Sequence, residues 1–297
     1  MKQVGKNFWG VLCAALSSAT FGIGPFMTIG LLSAALRPFE VLSYRWGLGA
    51  IFLILLTILS GHSLKIRPKD LRTVVWLSLL RATSSFCMVI AYIHIASGTA
   101  STIHFMYPLA VAATMTLFFE EKSSLLMWLA IALSIIGAGL LTCSDVGIGN
   151  GNTWLGIFAA FASVVAYALY MIGIKKSRAA HLNSTTLTCY VMIFGGLFFV
   201  VGAFATGGIR LLTTPQTWSY ALGLAIVSAA ISNITLVWAI KQIGPTRTSF
   251  FGALEPLTAV LIGIWLLNEP FTARNIWGIG LILGAVSLAL TQRKQSK

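Results

Sequence analysis

The sequence predicts an all-α integral membrane protein whose ten transmembrane helices form two inverted repeats of five helices each. Hydrophobic residues make up 57% of the 297 residues, charged residues only 9%, and the mean hydropathy is +0.89. Soluble domains carry about 25% charged residues, so this composition excludes a water-soluble globule. Apolar stretches of about 20 residues, enough to cross a hydrocarbon core of roughly 30 Å, recur along the whole chain. In addition, a segment in the middle of the chain matches a segment near its end.

Ten apolar stretches are separated by short polar breaks. Numbered in chain order as spans 1 to 10, they are predicted at residues 8–30, 39–60, 72–95, 98–118, 124–143, 154–174, 184–206, 217–241, 245–267 and 273–291. The breaks between them, such as 61–71 and 175–183, are too short to hold a soluble domain. Span 1 follows two lysines as a signal peptide would, but its apolar run is long and nine more spans follow. We therefore interpret it as an uncleaved first helix.

The basic residues predict how the chain is oriented. The formal net charge of +13 would indicate a nucleic-acid partner in a soluble protein. With the N-terminus inside, fifteen basic residues lie at the cytoplasmic face: Lys2, Lys6, Lys65, Arg67, Lys69, Arg72, Lys122, Lys175, Lys176, Arg178, Lys241, Arg247, Arg293, Lys294 and Lys297. Only Arg37, Arg210 and Arg274 lie at the opposite face. The positive-inside rule therefore predicts that both termini are cytoplasmic, and no nucleic acid is needed to explain the charge. We expect a multi-pass protein of a bacterial plasma (inner) membrane.

The sequence predicts neither a metal site nor a cofactor nor a catalytic centre. The four cysteines lie within or at the end of apolar spans, without a paired spacing such as C-x-x-C, and are interpreted as small apolar packing residues: Cys13, Cys87, Cys143 and Cys189. An intramembrane enzyme would need a nucleophile with a base, or a cluster of carboxylates and histidines. Such a pattern is missing from the sequence, so an enzyme is not predicted.

An internal repeat is the most informative feature of the sequence. Residues 95–121 match residues 243–269 at a constant offset of 148. Within this match, 107–109 (Tyr-Pro-Leu) align with 255–257 (Glu-Pro-Leu). The match predicts that the two halves of the chain are copies of one five-helix unit.

The odd number of helices in each copy determines their relative orientation. We interpret residues 1–150 and 151–297 as the two copies, and because five is odd the second copy enters the membrane from the opposite side. Inverted repeats place a binding site near the midplane, which each half can close from one side. Pro108 and Pro256 occupy matching positions in spans 4 and 9, and with Pro25 they are predicted to break their helices.

These features resemble the drug/metabolite transporter superfamily of the EamA type. The resemblance rests on the doubled ten-span pattern, on the small-residue spans 5 and 10, and on the two proline-containing spans that end in acidic residues at Glu121 and Glu269. It implies a transporter of small molecules in a lipid bilayer, with a central cavity lined mainly by spans 1, 3, 4, 6, 8 and 9. Relatives include exporters of amino acids and transporters of nucleotide-like metabolites, so the cargo is not implied. Monomer and homodimer both stay open.

Three ionisable side chains lie deep within the predicted spans. A charge at the bilayer centre costs roughly 2.5–3.5 kcal/mol on insertion scales, so each is a candidate functional residue. At about 1.5 Å per residue, Arg81 lies ~14 Å and Glu255 ~15 Å along its helix, which places both at the midplane. Arg45 lies only ~9 Å from the outer end of span 2, where its side chain can snorkel to the interface. The positions that match Arg81 and Glu255 in the other repeat are Ala229 and Tyr107, so the repeats differ in charge.

Polar and aromatic residues at helical spacing accompany these charges on spans 3, 4, 8 and 9. The predicted substrate-binding residues are Arg81, Ser85, Met88, Tyr92, His104, Tyr107, Ser232, Thr235, Trp238, Phe251 and Glu255. The alternative for each Ser or Thr is that it joins neighbouring helices by hydrogen bonds.

The charges favour an amino acid, or a related zwitterion or anion, as the cargo. We expect Arg81 to bind an anionic group, and Glu255 either to receive a cationic group or to exchange a proton that couples transport. Transport by proton coupling and transport by exchange both stay open. An Arg81–Glu255 ion pair that only locks two helices together is one structural alternative. The functional alternative is a binding or lipid-handling membrane protein of the same fold that does not transport.

Overall fold

The computed structural model describes residues 2–61, 64–121, 124–142, 151–267 and 272–291, and the regular structure within these ranges is entirely helical. The N-terminal half contains α1 (Lys2–Phe21), α2 (Gly24–Ser33), α3 (Pro38–Leu59), α4 (Pro68–His94), α5 (Ser97–His104), α6 (Tyr107–Phe119) and α7 (Leu125–Thr142). The C-terminal half contains α8 (Thr153–Lys176), α9 (Ser184–Ala205), α10 (Pro215–Ala225), α11 (Ser232–Ile243), α12 (Pro245–Phe250), α13 (Leu254–Leu267) and α14 (Ala273–Thr291). A π turn, Ile226–Ile231, joins α10 to α11, and 3-10 turns form at Arg178–His181 and Phe251–Ala253.

Seven helical segments in the described ranges are long and apolar enough to cross a membrane. They are Phe8–Ser33, Pro38–Leu59, Pro68–His94, Thr99–Phe119, Thr153–Lys176, Ser184–Ala205 and Pro215–Ile243. Two shorter apolar helices, Leu125–Leu140 and Asn275–Val286, accompany them, and predicted span 9 is divided between α12 and α13. The all-helical membrane class is thereby confirmed, whereas the number of ten spans and the inversion of the repeats stay predictions.

The helices begin where the sequence supplies start signals. Proline occupies the first turn of α3, α4, α10 and α12, where its missing N–H is no loss because the first N–H groups of a helix have no internal partner. Three starts, one of them that of α10, are capped by a side-chain oxygen. Asn152 accepts from Leu155 N–H at 3.2 Å, and Asn183 accepts from Thr185 N–H at 2.9 Å. In the same way Thr214 caps α10.

Several membrane segments are interrupted near their middle. The α1–α2, α5–α6 and α12–α13 segments each end one helix and begin another, and Pro25, Pro108 and Pro256 lie in the first turns of the second helices. Instead of kinking one continuous helix, the chain at the α5–α6 break tightens into a short turn in which Met106 N–H donates to the Ile103 carbonyl at 3.0 Å. These interruptions lie around one internal cavity.

Close packing of partner helices holds the bundle together. The most extensive interfaces pair α1 with α11, α3 with α9, α4 with α8 and α7 with α14. At the α3–α9 interface Trp46 is buried, and its ring lies 5.5 Å from that of Phe199. Gly195 faces the Trp46 ring so closely that a Cβ there would overlap it. Since lipid is as apolar as these side chains, such close approach of small residues is what stabilises helix pairs in a membrane.

Interhelical connections that carry Lys and Arg residues lie together at one end of the bundle. Arg178 donates to the Lys69 carbonyl at 3.5 Å, Lys175 donates to the Lys241 carbonyl at 2.6 Å, and Lys241 donates to the Leu182 carbonyl. Three separate connections therefore share this end.

A buried carboxylate fastens the opposite end. Glu40, in the first turn of α3, is fully buried and accepts hydrogen bonds from Arg37 and Arg210. Arg37 also donates to the carbonyls of Thr206 and Gly208, the latter at 3.0 Å. We call Arg37, Glu40 and Arg210 the outer clasp, because they tie α3 to the α9–α10 connection.

Gly22 is required by the close approach of α1 to α13. A Cβ at Gly22 would overlap the carbonyl oxygen of Glu255 and lie 2.7 Å from the Cβ of Thr258. We expect Gly22→Ala to destabilise the protein by about 1–3 kcal/mol through overpacking. Gly47→Ala is the matched control, since a Cβ at Gly47 meets nothing within 4 Å and removes backbone entropy from the unfolded chain. Thermal unfolding in detergent measures both, and equal stability of the two variants would contradict this packing.

Candidate functional site

One internal cavity contains most of the predicted binding residues. It lies where α2, α3, α4, α8 and α13 approach each other, and its volume is about 50 Å³. The predicted residues that line it are Pro25, Arg81, Ser85, Met88, Tyr92, His104 and Glu255. The other lining residues are Phe21, Gly24, Thr28, Arg45, Ser84, Val89 and Tyr167. Metabolite sites commonly occupy roughly 300–1,000 Å³, so this cavity is smaller than a typical metabolite site.

Arg81 is held rigidly in the wall of this cavity. Its side chain is buried, and its Nε donates to Asn233 Oδ1 at 3.0 Å while Nη1 donates to Ser85 Oγ at 2.9 Å. The guanidinium carbon lies 5.0 Å from the ring centre of Tyr167 and 5.3 Å from that of Phe21. These bonds use two of the five guanidinium N–H groups, and the others have no partner among the described residues. Arg81 is therefore a fixed cation with free donors, as an anion-binding residue requires.

Arg45 lines the same cavity instead of reaching for the outer interface. Its Nη2 lies 3.3 Å from the Ser228 carbonyl oxygen and 3.4 Å from Ser228 Oγ. The expectation of snorkelling came from its depth along span 2 alone. The structure turns the side chain inward because the π turn after α10 presents Ser228 to it.

The π turn positions the anchors of both arginines. Ser228 lies in the π turn, Asn233 follows it in α11, and both are buried. The same interrupted helix therefore supplies a hydrogen-bond partner both to Arg45 and to Arg81. Single π turns within α-helices frequently mark functional sites.

Glu255 faces the two arginines across the cavity. It lies in the first turn of α13, and electrostatic interactions couple it to both Arg81 and Arg45. Within the described part of the chain, its carboxylate makes neither a hydrogen bond nor an ion pair. The alternative of an Arg81–Glu255 lock is therefore not realised in this conformation. An unpaired carboxylate in a cavity can bind a cationic group or take up a proton.

An aromatic wall with one imidazole closes the remaining side. The Tyr167 ring centre lies 4.7 Å from that of Tyr107 and 5.4 Å from that of His104. Ser163 Oγ donates to the Ala160 carbonyl at 2.6 Å, so its oxygen accepts from His104 Nδ1–H at 2.8 Å. In the neutral imidazole, Nε2 of His104 is then left as a hydrogen-bond acceptor.

Four predicted residues lie away from this cavity. Thr235 and Trp238 line a second, more open cavity of about 540 Å³ near the start of α9. Ser232 uses its hydroxyl within its own helix, donating to the Ser228 carbonyl at 2.5 Å. Phe251 is buried against α1 in a small apolar cluster. The structure therefore does not bring these four residues to the cavity that contains Arg81.

The described residues do not form a metal site. They contain no group of three or more His, Cys, Asp or Glu side chains that could hold a metal ion. Cys13, Cys87 and Cys189 are free thiols there, and Cys143 lies outside the described residues.

The sequence is similar to a family of transporters over both halves. The EamA-like transporter family matches residues 8–143 and again residues 154–291. The chain belongs to the EamA-like transporter family. This confirms the resemblance predicted from the sequence and indicates a transporter, not an enzyme. In an EamA-like protein, ionisable side chains around a cavity within the membrane are candidates for the solute pathway.

Individual EamA-like relatives carry transporter names. An uncharacterized transporter of Archaeoglobus fulgidus is 25% identical over 287 residues, covering 96% of this chain and 99% of that protein. An uncharacterized transporter of Synechocystis is 27% identical over 225 residues, covering 73% and 67%. The uncharacterized inner membrane transporter YedA of Escherichia coli is 23% identical over 254 residues, covering 84% and 81%. A protein of known crystal structure shares the fold, with a TM-score of 0.78, 14% identity and coverage of 96% and 97%.

Tyr167 and Asn233 are not among the candidate residues predicted from the sequence, and Arg45 was expected to reach the interface instead of the cavity. The sequence does give an indication of Asn233, because an amide within one predicted span is a natural hydrogen-bond partner for an arginine within another. Tyr167 had none beyond its place in span 6, because its role depends on how α8 packs against α4 and α6.

Proposed function

We propose that this EamA-like protein is a secondary transporter. It moves an amino acid, or a related zwitterion or anion, across the plasma membrane of a bacterium by alternating access. The observation that carries the proposal is the cavity in which the fixed Arg81 and the unpaired Glu255 face each other between interrupted helices. Half-helix ends and buried charges are the means by which transporters bind ionic solutes within the bilayer.

The arrangement of helix pairs supports two inverted repeats, residues 1–150 and 151–297. In two such repeats, α1 corresponds to α8, α3 to α9, α4 to α11 and α7 to α14. When each helix is replaced by its counterpart, the α1–α11 interface becomes the α4–α8 interface and the reverse. The α3–α9 and α7–α14 interfaces then map onto themselves. A two-fold axis in the membrane plane produces this pattern, and exchange of conformation between the repeats gives alternating access.

The two ends of the bundle support an orientation with both termini cytoplasmic. The basic end, where Arg178 reaches the Lys69 carbonyl, would face the cytoplasm, as the positive-inside rule requires. The outer clasp would then close the opposite, external end. The open cavity beside Asn183 also lies at the basic end.

Replacement of Glu255 tests whether protons couple transport. We expect Glu255→Gln to abolish accumulation driven by a pH gradient, because an amide cannot exchange a proton, while exchange of internal for external solute continues. The measurement is uptake into liposomes with and without a pH gradient, using the solute that most raises the unfolding temperature of the purified protein. Glu120→Gln is the matched control, since Glu120 is an exposed carboxylate outside the cavity. Undiminished gradient-driven accumulation by Glu255→Gln would contradict a coupling role for Glu255.

A further inference from the structure

The cavity contains more positive charge than an ordinary zwitterion needs. The charged side chains that line it are Arg45, Arg81 and Glu255, and they lie beside the imidazole of His104. Two guanidiniums against one carboxylate leave an excess of one positive charge. A single anionic group on the cargo, bound to Arg81, would leave Arg45 without a counter-charge.

Arg45 is less constrained by the protein than Arg81. Both of its contacts, with the carbonyl and the hydroxyl of Ser228, involve the same nitrogen and are long, at 3.3 and 3.4 Å. Its Nε and Nη1 have no hydrogen-bond partner among the residues that the structure describes. Guanidinium groups bind carboxylates through two parallel N–H bonds, and Arg45 keeps such a pair available.

We propose that the cargo is a small amino acid with two carboxylates, so that one carboxylate binds Arg81, the other binds Arg45 and the ammonium group binds Glu255. This inference rests on the proposed transport function and names its substrate class. Such a cargo has a net charge of minus one and neutralises the cavity. It also gives every charged side chain of the site a partner, which matters because an unpaired charge is costly in a dry site.

The geometry disfavours the two simpler cargo classes. A neutral amino acid leaves Arg45 unpaired beside a second cation. A dicarboxylate without an ammonium group leaves the carboxylate of Glu255 facing an anion.

The test uses the full-length protein in liposomes and four variants. The probes are radiolabelled L-glutamate, L-aspartate, L-alanine and succinate, each assayed for exchange. We expect the wild type to exchange the two acidic amino acids in preference to the other probes. Arg45→Gln should weaken the apparent affinity for the acidic amino acids by about tenfold to a hundredfold, because it removes a charge-assisted hydrogen-bonded contact.

Of the other three variants, two serve as controls and Glu255→Gln tests the contact with the ammonium group. Arg45→Lys keeps the charge and should keep a measurable preference for acidic amino acids. Arg247→Gln removes an exposed arginine outside the cavity and should behave as the wild type. Glu255→Gln should raise succinate exchange relative to that of L-glutamate. Gel filtration and unfolding temperature establish that each variant is folded. If Arg45→Gln does not fold, Arg45→Lys and the preference of the wild type among the four probes test the inference instead.

The outcomes separate this inference from the proposed function. Three outcomes would overturn the inference but not the transport function. The wild type could exchange L-alanine as fast as L-glutamate, it could exchange only an unrelated solute, or Arg45→Gln could behave as Arg247→Gln does. Succinate exchanged as fast as L-glutamate by the wild type would overturn the ammonium contact with Glu255. Folded protein that exchanges no solute at all would overturn the transport function itself.

Discussion

Substitution of Arg81 by glutamine is expected to remove solute binding almost completely. Arg81 has free N–H donors, a rigid position set by Asn233 and Ser85, and no carboxylate partner in the described part of the protein. Its charge is therefore available to a bound anion. Removing one member of a buried, hydrogen-bonded charge pair costs about 2–5 kcal/mol, which is roughly 30-fold to several thousandfold in affinity.

The measurement for Arg81→Gln is the solute-dependent rise in unfolding temperature, followed over a range of solute concentrations. Arg81→Lys keeps the charge but loses the planar fork, so we expect an intermediate affinity. Arg247→Gln provides the control for the loss of a surface arginine. If Arg81→Gln lowered the unfolding temperature of the free protein while affinity for the solute stayed the same, Arg81 would be a packing residue and the binding role would be wrong.

Substitution of Glu40 by glutamine is expected to lower the stability of the protein. The carboxylate accepts five hydrogen bonds: from the backbone N–H of Arg37 at 2.7 Å and of Arg210 at 2.9 Å, from Arg37 Nε at 3.2 Å, and from Arg210 Nε and Nη2 at 3.0 and 2.8 Å. The amide loses the charge and turns one acceptor into a donor group that faces other donors. The arginine side chains are 38% and 52% exposed, so water screens them and the cost falls below that of a fully buried pair.

We therefore expect Glu40→Gln to lose about 2 kcal/mol of stability and several degrees in unfolding temperature. Glu120→Gln is the matched control, because Glu120 is exposed and belongs to neither of the ion pairs found in the described residues. Thermal unfolding of the detergent-solubilised protein measures the difference. Equal unfolding temperatures for Glu40→Gln and Glu120→Gln would show that the outer clasp does not hold α3 to the α9–α10 connection.

The sequence predicted the parts of the site that depend on one regular helix. Arg81, Ser85, Met88 and Tyr92 recur at intervals of three or four residues in the uninterrupted α4, so the helical period alone places them on one face. Glu255 was recognisable because a carboxylate in the middle of an apolar span requires an explanation.

The sequence places Ser232 and Thr235 of span 8 among the candidate binding residues, whereas the structure places them away from the cavity that contains Arg81, and the π turn is the physical reason. Ser228, Ser232 and Thr235 share a face only if the helix is α-helical throughout. The π turn at Ile226–Ile231 adds one residue, which rotates the following helix by about 100°. Ser228 therefore contacts Arg45, whereas Thr235 faces the second cavity. Single-helix periodicity cannot reveal such a turn, nor the inward rotation of Arg45 that depends on it.

Exchange of solute by the purified protein in liposomes tests the central claim most directly, namely that solute crosses the membrane through the cavity between Arg81 and Glu255. The solute identified by thermal stabilisation is placed unlabelled inside the vesicles and labelled outside. We predict that internal solute accelerates labelled uptake by the wild type and has no effect with Arg81→Gln. Wild-type protein that binds the solute yet shows no exchange would contradict transport and indicate a binding or lipid-handling protein of the same fold.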